Sequence, residues 1–133
     1  MRSSDAASLA SVDAGFHKAV DSAVVEENDR WGTPRMVTVA KDLVGDRPAG
    51  STQESSGIVQ TAMAVNRALG FAATLGEGST DSNLAMSLRI PAVTIGGGGR
   101  GTGAHALNEA FDTTDSWHGT QRAVLLTIAL AQK

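Results

Sequence analysis

A run of glycines constrains the fold of this chain more than any other feature of its sequence. Six of the eight residues 96–103 are glycine, and they lie between the apolar stretch "IPAVTI" and the dipeptide Ala104–His105. Glycine adopts backbone conformations that other residues avoid, and it lets the backbone approach a ligand closely. The pattern predicts a tight loop after a buried strand, at the edge where α/β sheets bind ligands.

The first fifty residues are predicted to hold one long helix and one strand. Apolar residues recur at helical spacing from Ser4 to about Asn28, at Leu9, Val12, Phe16, Val20 and Val24. Ser3 or Ser4 with Asp5 is the expected N-cap, and "WGTP" is the expected stop. Residues 35–45 alternate between apolar and polar, which indicates a half-buried strand. One helix and one strand do not make a stable layer, so we expect further polypeptide before Met1.

A Gly-, Pro- and Ser-rich stretch over 45–57 indicates a boundary near Gly50. We therefore expect two parts, residues 1–50 and residues 51–133. The second part is predicted to begin with a helix that ends at Gly70 and has its apolar residues at Ile58, Ala62, Val65 and Leu69. A short strand over 71–76, a helix over 81–88 and a strand over 90–97 are expected to follow. The last helix, over 119–131, is too uniformly apolar to lie on an open surface. The alternation of helices and strands favours the α/β class.

Composition excludes several classes of function. The net charge is −3 and the eleven Lys and Arg residues are scattered, which argues against a nucleic-acid partner. The absence of cysteine excludes disulfides and thiolate zinc sites. The longest apolar run, over 123–131, is shorter than the roughly 18 residues of a membrane span. The amino terminus has no secretory pattern, so we expect a cytoplasmic protein without membrane segments.

The glycine run leaves several site interpretations open. Residues 96–101 match G-x-G-x-x-G, but a dinucleotide site also needs a helix that begins within the glycines and a second parallel strand, and neither is predicted. His105 is either a metal or ligand contact or a histidine hydrogen-bonded in a loop. Glu109 is either a second ligand or a carboxylate that orients the imidazole. Asp81 either caps the following helix or helps to seat an anionic group at its start.

Taken as one string, residues 79–111 resemble the carboxyl-terminal part of a known enzyme family. The motifs are Ser79–Asn83 for S/T-D-A/S-N, Arg89–Gly96 for G-I-P-x-x-x-x-G, the glycine run, and Ala104–Glu109 for A-H-S/T-x-x-E, followed by an aromatic residue. They are similar to those of the co-catalytic zinc peptidases, which include glutamate carboxypeptidase, peptidase T, aminoacylase and acetylornithine deacetylase. Arg89 departs from the usual glycine, and Ala106 from the usual Ser or Thr.

The resemblance implies the carboxyl-terminal portion of a zinc-peptidase α/β sandwich, preceded by a helix–strand remnant of an α+β lid or dimerisation domain. It implies that His105 is a ligand of a two-zinc site, that Glu109 supports it, and that Asp81, Asn83 and Arg100 lie near the substrate. It assigns no catalytic residue to this chain.

The same resemblance implies a hydrolase of peptide or N-acyl amino acid bonds that works as a homodimer. The remaining metal ligands and the general base would belong to an amino-terminal catalytic segment missing from this chain. This chain alone would then be inactive. The alternative from another class is a non-catalytic, free-standing α/β module that self-associates or binds a partner through an exposed strand edge.

Overall fold

The computed structural model describes residues 1–32 and 36–132. In chain order it contains helices α1 (Ala6–Trp31), α2 (Gly57–Ala68) and α3 (Ser82–Ser87), strands β1 (Arg100–Thr102) and β2 (Ala110–Asp112), and helix α4 (Trp117–Ala131). The chain is therefore a mixture of helix and strand in which helix predominates. In the ranges just given, no helix is long and apolar enough to cross a membrane.

Helix α1 is confirmed, and both of its ends are set by local chemistry. The Asp5 carboxylate accepts a hydrogen bond from the Ser8 backbone N–H at 2.6 Å, which satisfies one of the amides that a helix leaves unpaired at its start. Gly32 ends the helix in a left-handed conformation, with φ of 63°. Pro34 and Arg35, which belong to the predicted stop and the predicted strand, lie outside the described residues.

Helix α1 contributes no buried residue, and within the described ranges it packs on no other helix or strand. Its tertiary contacts include hydrogen bonds to the segment that follows it. The Asn28 side chain accepts from the Val37 N–H at 2.8 Å and donates to the Val37 carbonyl at 3.0 Å. Lys41 Nζ lies 2.6 Å from Asp21 Oδ1. These are polar contacts near the surface, so α1 lies outside the hydrophobic core.

The core lies between α2 and α4, the one pair of described helices that pack together. Their buried apolar residues are Val59, Ala62, Val65 and Leu126. The predicted spacing of α2 is confirmed, since Ala62 and Val65 point inward and Leu69 packs beside them. Val93 and Ile95 also pack against this cluster. The helices predicted over 81–88 and 119–131 are confirmed as well, as α3 and α4.

The predictions of strands over 35–45, 71–76 and 90–97 are wrong for the described residues of those segments, none of which forms a strand. The sheet is instead a small antiparallel pair of β1 and β2, in which Gly101 lies opposite Phe111. Alternation of apolar residues predicts which side chains share a face, whereas a strand also needs a neighbour for its backbone groups. No such neighbour lies beside these segments in the described part of the chain.

Helix α4 also differs from expectation, because its apolar sequence predicted a helix removed from the surface. Leu126 is buried, but Val124 and Ile128 remain 51% and 48% exposed. The reason is that α2 is the only described helix or strand against which α4 packs, so one face is covered and the other is not.

Candidate functional site

The glycine loop lies directly against the beginning of α4. A Cβ atom added at Gly119 would overlap the Gly97 carbonyl, and one added at Gly98 would overlap the Ser116 carbonyl. Gly98 and Gly99 also have positive φ values of 81° and 66°, which residues with a side chain rarely adopt. The loop is tight because glycine at these positions lets two backbone segments touch.

His105 lies in the turn between β1 and β2, and its side chain is exposed. Its φ is 64°, in the left-handed region that glycine favours. Two backbone hydrogen bonds hold the turn, from Ala106 N–H to the Gly103 carbonyl and from Glu109 N–H to the Ala106 carbonyl, both at 3.0 Å. The turn therefore presents the imidazole to solvent from a strained backbone position.

Glu109 supports this turn through the backbone. Its Oε2 accepts a hydrogen bond from the backbone N–H of His105 at 3.4 Å. The sequence left open whether Glu109 is a ligand or orients the imidazole, and the observed bond is a third arrangement, in which the carboxylate fixes the main chain beside the ring. His105 and Glu109 are thus neighbours in space as well as in sequence.

Asp81 and Asn83 lie at the start of α3, at another place in the molecule. The prediction that the Asp81 side chain caps this helix is wrong, because it makes no capping hydrogen bond. Asp81 instead pairs with Arg47 at 3.2 Å, and Arg47 also donates to Ser79 Oγ at 3.4 Å. The Asn83 side chain accepts a hydrogen bond from the Thr80 N–H at 2.9 Å. Asn83, rather than Asp81, therefore orders this turn.

Asn83 and Arg47 also tie α3 to the segment before the predicted boundary. Asn83 Nδ2 donates to the Pro48 carbonyl at 3.3 Å, while Arg47 bridges to Asp81. The long arginine side chain reaches across 34 positions of sequence, which no local pattern could indicate. Residues 47–48 are therefore fixed against the start of α3.

Arg100, the last of the predicted site residues, is exposed on β1 and lies opposite Asp112 in the sheet register. The Asp112 carboxylate accepts a hydrogen bond from the Thr114 backbone N–H at 2.9 Å. That bond lowers the pKa of Asp112 below its usual value because it stabilises the charged form. Asp112 thus carries a negative charge near Arg100 on the strand pair.

An open cleft of about 1420 Å³ runs beside α2 and α3. Of the five residues predicted to form a site, Asn83 lines this cleft, whereas Asp81, Arg100, His105 and Glu109 do not. The predicted residues thus occupy three places: the start of α3, strand β1 and the β1–β2 turn.

Sequence reasoning missed two polar groups at this cleft. One is a hydroxyl cluster in which Thr94 Oγ1 lies 2.7 Å from Thr80 Oγ1 and 2.8 Å from Ser82 Oγ. The other is Arg122 on α4. The sequence does contain a signal for Arg122, because it is the one charged residue of the apolar helix α4 and a charge in such a helix often has a function. The hydroxyl cluster had no comparable signal, because Thr94 lies 14 residues from Thr80.

The donors in the described part of the chain do not make a complete zinc centre. A catalytic zinc needs three protein ligands and an open position, and the β1–β2 turn offers one imidazole and one nearby carboxylate. Among residues 1–32 and 36–132 no group of three or more His, Asp or Glu side chains could hold a metal ion. We therefore derive no metal-dependent reaction step from these residues.

The chain matches no known protein-family model, and no curated protein matches it either.

Proposed function

We propose that this chain is the carboxyl-terminal segment of a zinc-dependent metallohydrolase that cleaves peptide or N-acyl amide bonds. In this proposal the chain belongs to the co-catalytic zinc peptidase family that its motifs resemble. It contributes His105 to a two-zinc site whose other ligands and general base are carried by polypeptide outside these 133 residues. The isolated chain is inactive, and the complete enzyme is a cytoplasmic homodimer.

The observation that carries the proposal is the backbone conformation of His105. A residue with a side chain costs roughly 1–2 kcal/mol in the left-handed region, and φ at His105 is 64°. Glycine would remove that cost, and the sequence uses glycine freely in the same loop. Strained residues persist mainly at functional sites. An exposed imidazole in a strained turn, braced by Glu109, supports the proposal that His105 is offered to a shared metal site.

Arg89 gives the resemblance separate physical support. It occupies the position at which the family pattern has glycine before Ile-Pro, and its φ is 62°. A left-handed conformation explains why glycine is usual there. Arg89 therefore departs from the family pattern in its side chain, but its backbone has the conformation that glycine favours.

The finer fold assignment is also part of the proposal. Val93 and Ile95 point into the α2–α4 core, and Thr94 between them bonds to hydroxyls on the other side. This is the alternation of a strand that lacks a neighbour. We infer that residues 90–97 and 71–76 join a sheet formed with the rest of the catalytic domain, and that residues 1–50 belong to a lid domain.

Zinc titration by calorimetry tests the function. We expect weak zinc binding by the chain alone. Mixing it with a candidate amino-terminal segment that carries the other ligands should give tight binding and hydrolysis of dipeptides or N-acyl amino acids. His105→Gly should abolish both the tight zinc binding and the hydrolysis, because it removes the imidazole. It should leave the fold at least as stable, because it also relieves the backbone strain. His17→Ala, which removes a half-buried histidine of α1, is the control.

Tight stoichiometric zinc in the lone chain, or full activity of the His105→Gly complex, would overturn the proposal. A second candidate function is a non-catalytic module that self-associates. The exposed apolar stripe of α1 favours it, since Val12 and Phe16 are 50% and 52% exposed. Sedimentation of the same samples separates the two: a stable oligomer that gains no zinc affinity on mixing supports the module.

A further inference from the structure

Arg122 is held in one position by two contacts that do not involve an acid. Its Nη1 donates to the Gly96 carbonyl at 2.8 Å, and its guanidinium carbon lies 5.2 Å from the centre of the Phe71 ring. A Cβ at residue 96 would lie 3.1 Å from Nη1, so the absence of a side chain at Gly96 leaves room for this approach. The guanidinium is therefore pre-positioned at the wall of the cleft that Arg122 lines.

The charge of this guanidinium is not neutralised by an ion pair with a described residue, although Asp46, Glu54 and Glu77 line the same cleft. Arg30 and Arg47 each pair with a carboxylate, whereas Arg122 forms no ion pair with any described residue. The two helices of the core, α2 and α4, carry Arg67 and Arg122 and contain no Asp or Glu. The core layer therefore presents positive charge without a counter-charge of its own.

One donor of Arg122 also lacks an acceptor. The Nε atom is buried and has no hydrogen-bond partner within the described part of the chain. Two other polar side chains along the cleft already have partners. Asn66 Nδ2 donates to the Ala62 carbonyl at 3.0 Å, and Thr52 Oγ1 bonds to both the carbonyl and the N–H of Ala92. A buried donor without an acceptor is costly, so Arg122 gains from an acceptor that reaches its Nε.

We propose that Arg122 is a binding site for the carboxylate group of a small molecule that enters the cleft. The planar guanidinium matches a carboxylate, because two of its N–H groups are parallel and can donate to the two carboxylate oxygens. A phosphate dianion recruits further positive groups, and of the other arginines that line the cleft, Arg2 and Arg47, the second is already paired with Asp81. The rigid placement on Phe71 and Gly96 lowers the ordering cost of binding.

NMR of the full chain labelled with ¹⁵N tests this site directly, through the arginine Nε–H signals. Acetate and glutarate are added in separate titrations, each against sodium chloride at equal ionic strength. We expect a saturable shift of the Arg122 signal with both carboxylates and only a linear drift with chloride. The signal of Arg67, which is exposed on the same helix layer, is the internal control.

Arg122→Lys keeps the charge and loses the planar fork, and it should weaken carboxylate binding by about tenfold. Arg67→Lys is the matched variant and should bind as the original chain does. If Arg122→Lys does not fold, the Arg122 signal of the unaltered chain decides the question alone. An Arg122 signal that moves no more than that of Arg67, or that shifts more with inorganic phosphate than with acetate, overturns the proposal.

Discussion

The longest helix of the molecule and the two helices of its core are stabilised in different ways. Helix α1 has 26 residues and buries none of them, while α2 and α4, with 12 and 15 residues, supply the buried cluster. Most of the support for α1 is local: the Asp5 cap, the Gly32 end, and pairs one turn apart such as Glu27 with Arg30 at 3.2 Å. Surface pairs of this kind contribute about 0.2–0.5 kcal/mol each. The exceptions to this local support are the polar contacts that Asn28 and Asp21 make with residues 37–41.

Backbone strain follows the same division. The described residues other than glycine with positive φ are Arg89, His105 and Asp115, all of them beyond α2. In residues 1–32 the residue with the left-handed conformation is Gly32, and glycine adopts it at little cost. Strained conformations persist where the surrounding structure determines them. The length and apolar pattern of a helix therefore do not show how much it contributes to the hydrophobic core.

Shortening a core side chain is the strongest test of this difference. Leu126 is 7% exposed and contacts the α2 cluster, so Leu126→Ala should lower the free energy of unfolding by about 2–3 kcal/mol, at the lower end of such changes because the cluster is small. Thermal unfolding followed by circular dichroism measures it.

Val12→Ala removes an apolar side chain from α1 and is the matched variant. Val12 is 50% exposed, so we expect a change within about 0.5 kcal/mol. Equal losses of unfolding free energy in the two variants would show that α1 is part of the hydrophobic core, and would contradict the difference between α1 and the core helices.

Relieving strain gives a smaller effect of opposite sign. Arg89→Gly removes a side chain from a left-handed position and should raise the free energy of unfolding by up to about 1 kcal/mol, since the relief exceeds the entropy cost of glycine. Arg100→Gly, at an exposed strand position without positive φ, should instead be neutral or destabilising. Chemical denaturation of both variants decides it. A loss of stability in Arg89→Gly would mean that its side chain contributes more than its backbone costs.

The smallest expected effect is the acid sensitivity of α1. The hydrogen bonds from the backbone N–H and hydroxyl of Ser8 lower the pKa of Asp5. A carboxyl whose folded pKa is lowered stabilises the helix above its unfolded pKa, about 3.9, and this contribution disappears as the pH falls through the folded value. The first turn of α1 should therefore loosen below about pH 4.

The Ser8 amide shift in an NMR pH titration reports this change at one site. Asp5→Asn keeps a good N-cap but cannot titrate, so its Ser8 signal should stay nearly constant over the same range. Matching titration curves in the two proteins would show that Asp5 does not control the start of α1.

Local patterns were sufficient for the helices. Apolar spacing predicted α1 and α2, a cap pattern predicted α3, and a continuous apolar run predicted α4. Gly32 marks the end of α1 as expected. The strands were not predictable in the same way. Residues 90–97 have the alternation of a strand but form none, whereas β1 lies inside the glycine-rich run and β2 lies beyond Glu109, where the sequence indicated no strand.

The candidate site divides along the same line. The approach of His105 to Glu109 follows from a separation of four residues, and the sequence made them candidates together. The pairing of Arg47 with Asp81 and the stacking of Arg122 on Phe71 join residues 34 and 51 positions apart, and only the folded chain reveals them.

The sequence by itself determined where the helices lie, because capping and apolar spacing act within one or two turns. It also indicated that a tight glycine loop precedes His105. The tertiary structure decided which segments pair as strands, which face of α4 is covered and where Arg122 points. Those outcomes depend on partners distant in the chain, and a backbone hydrogen bond or an apolar contact forms only where such a partner arrives.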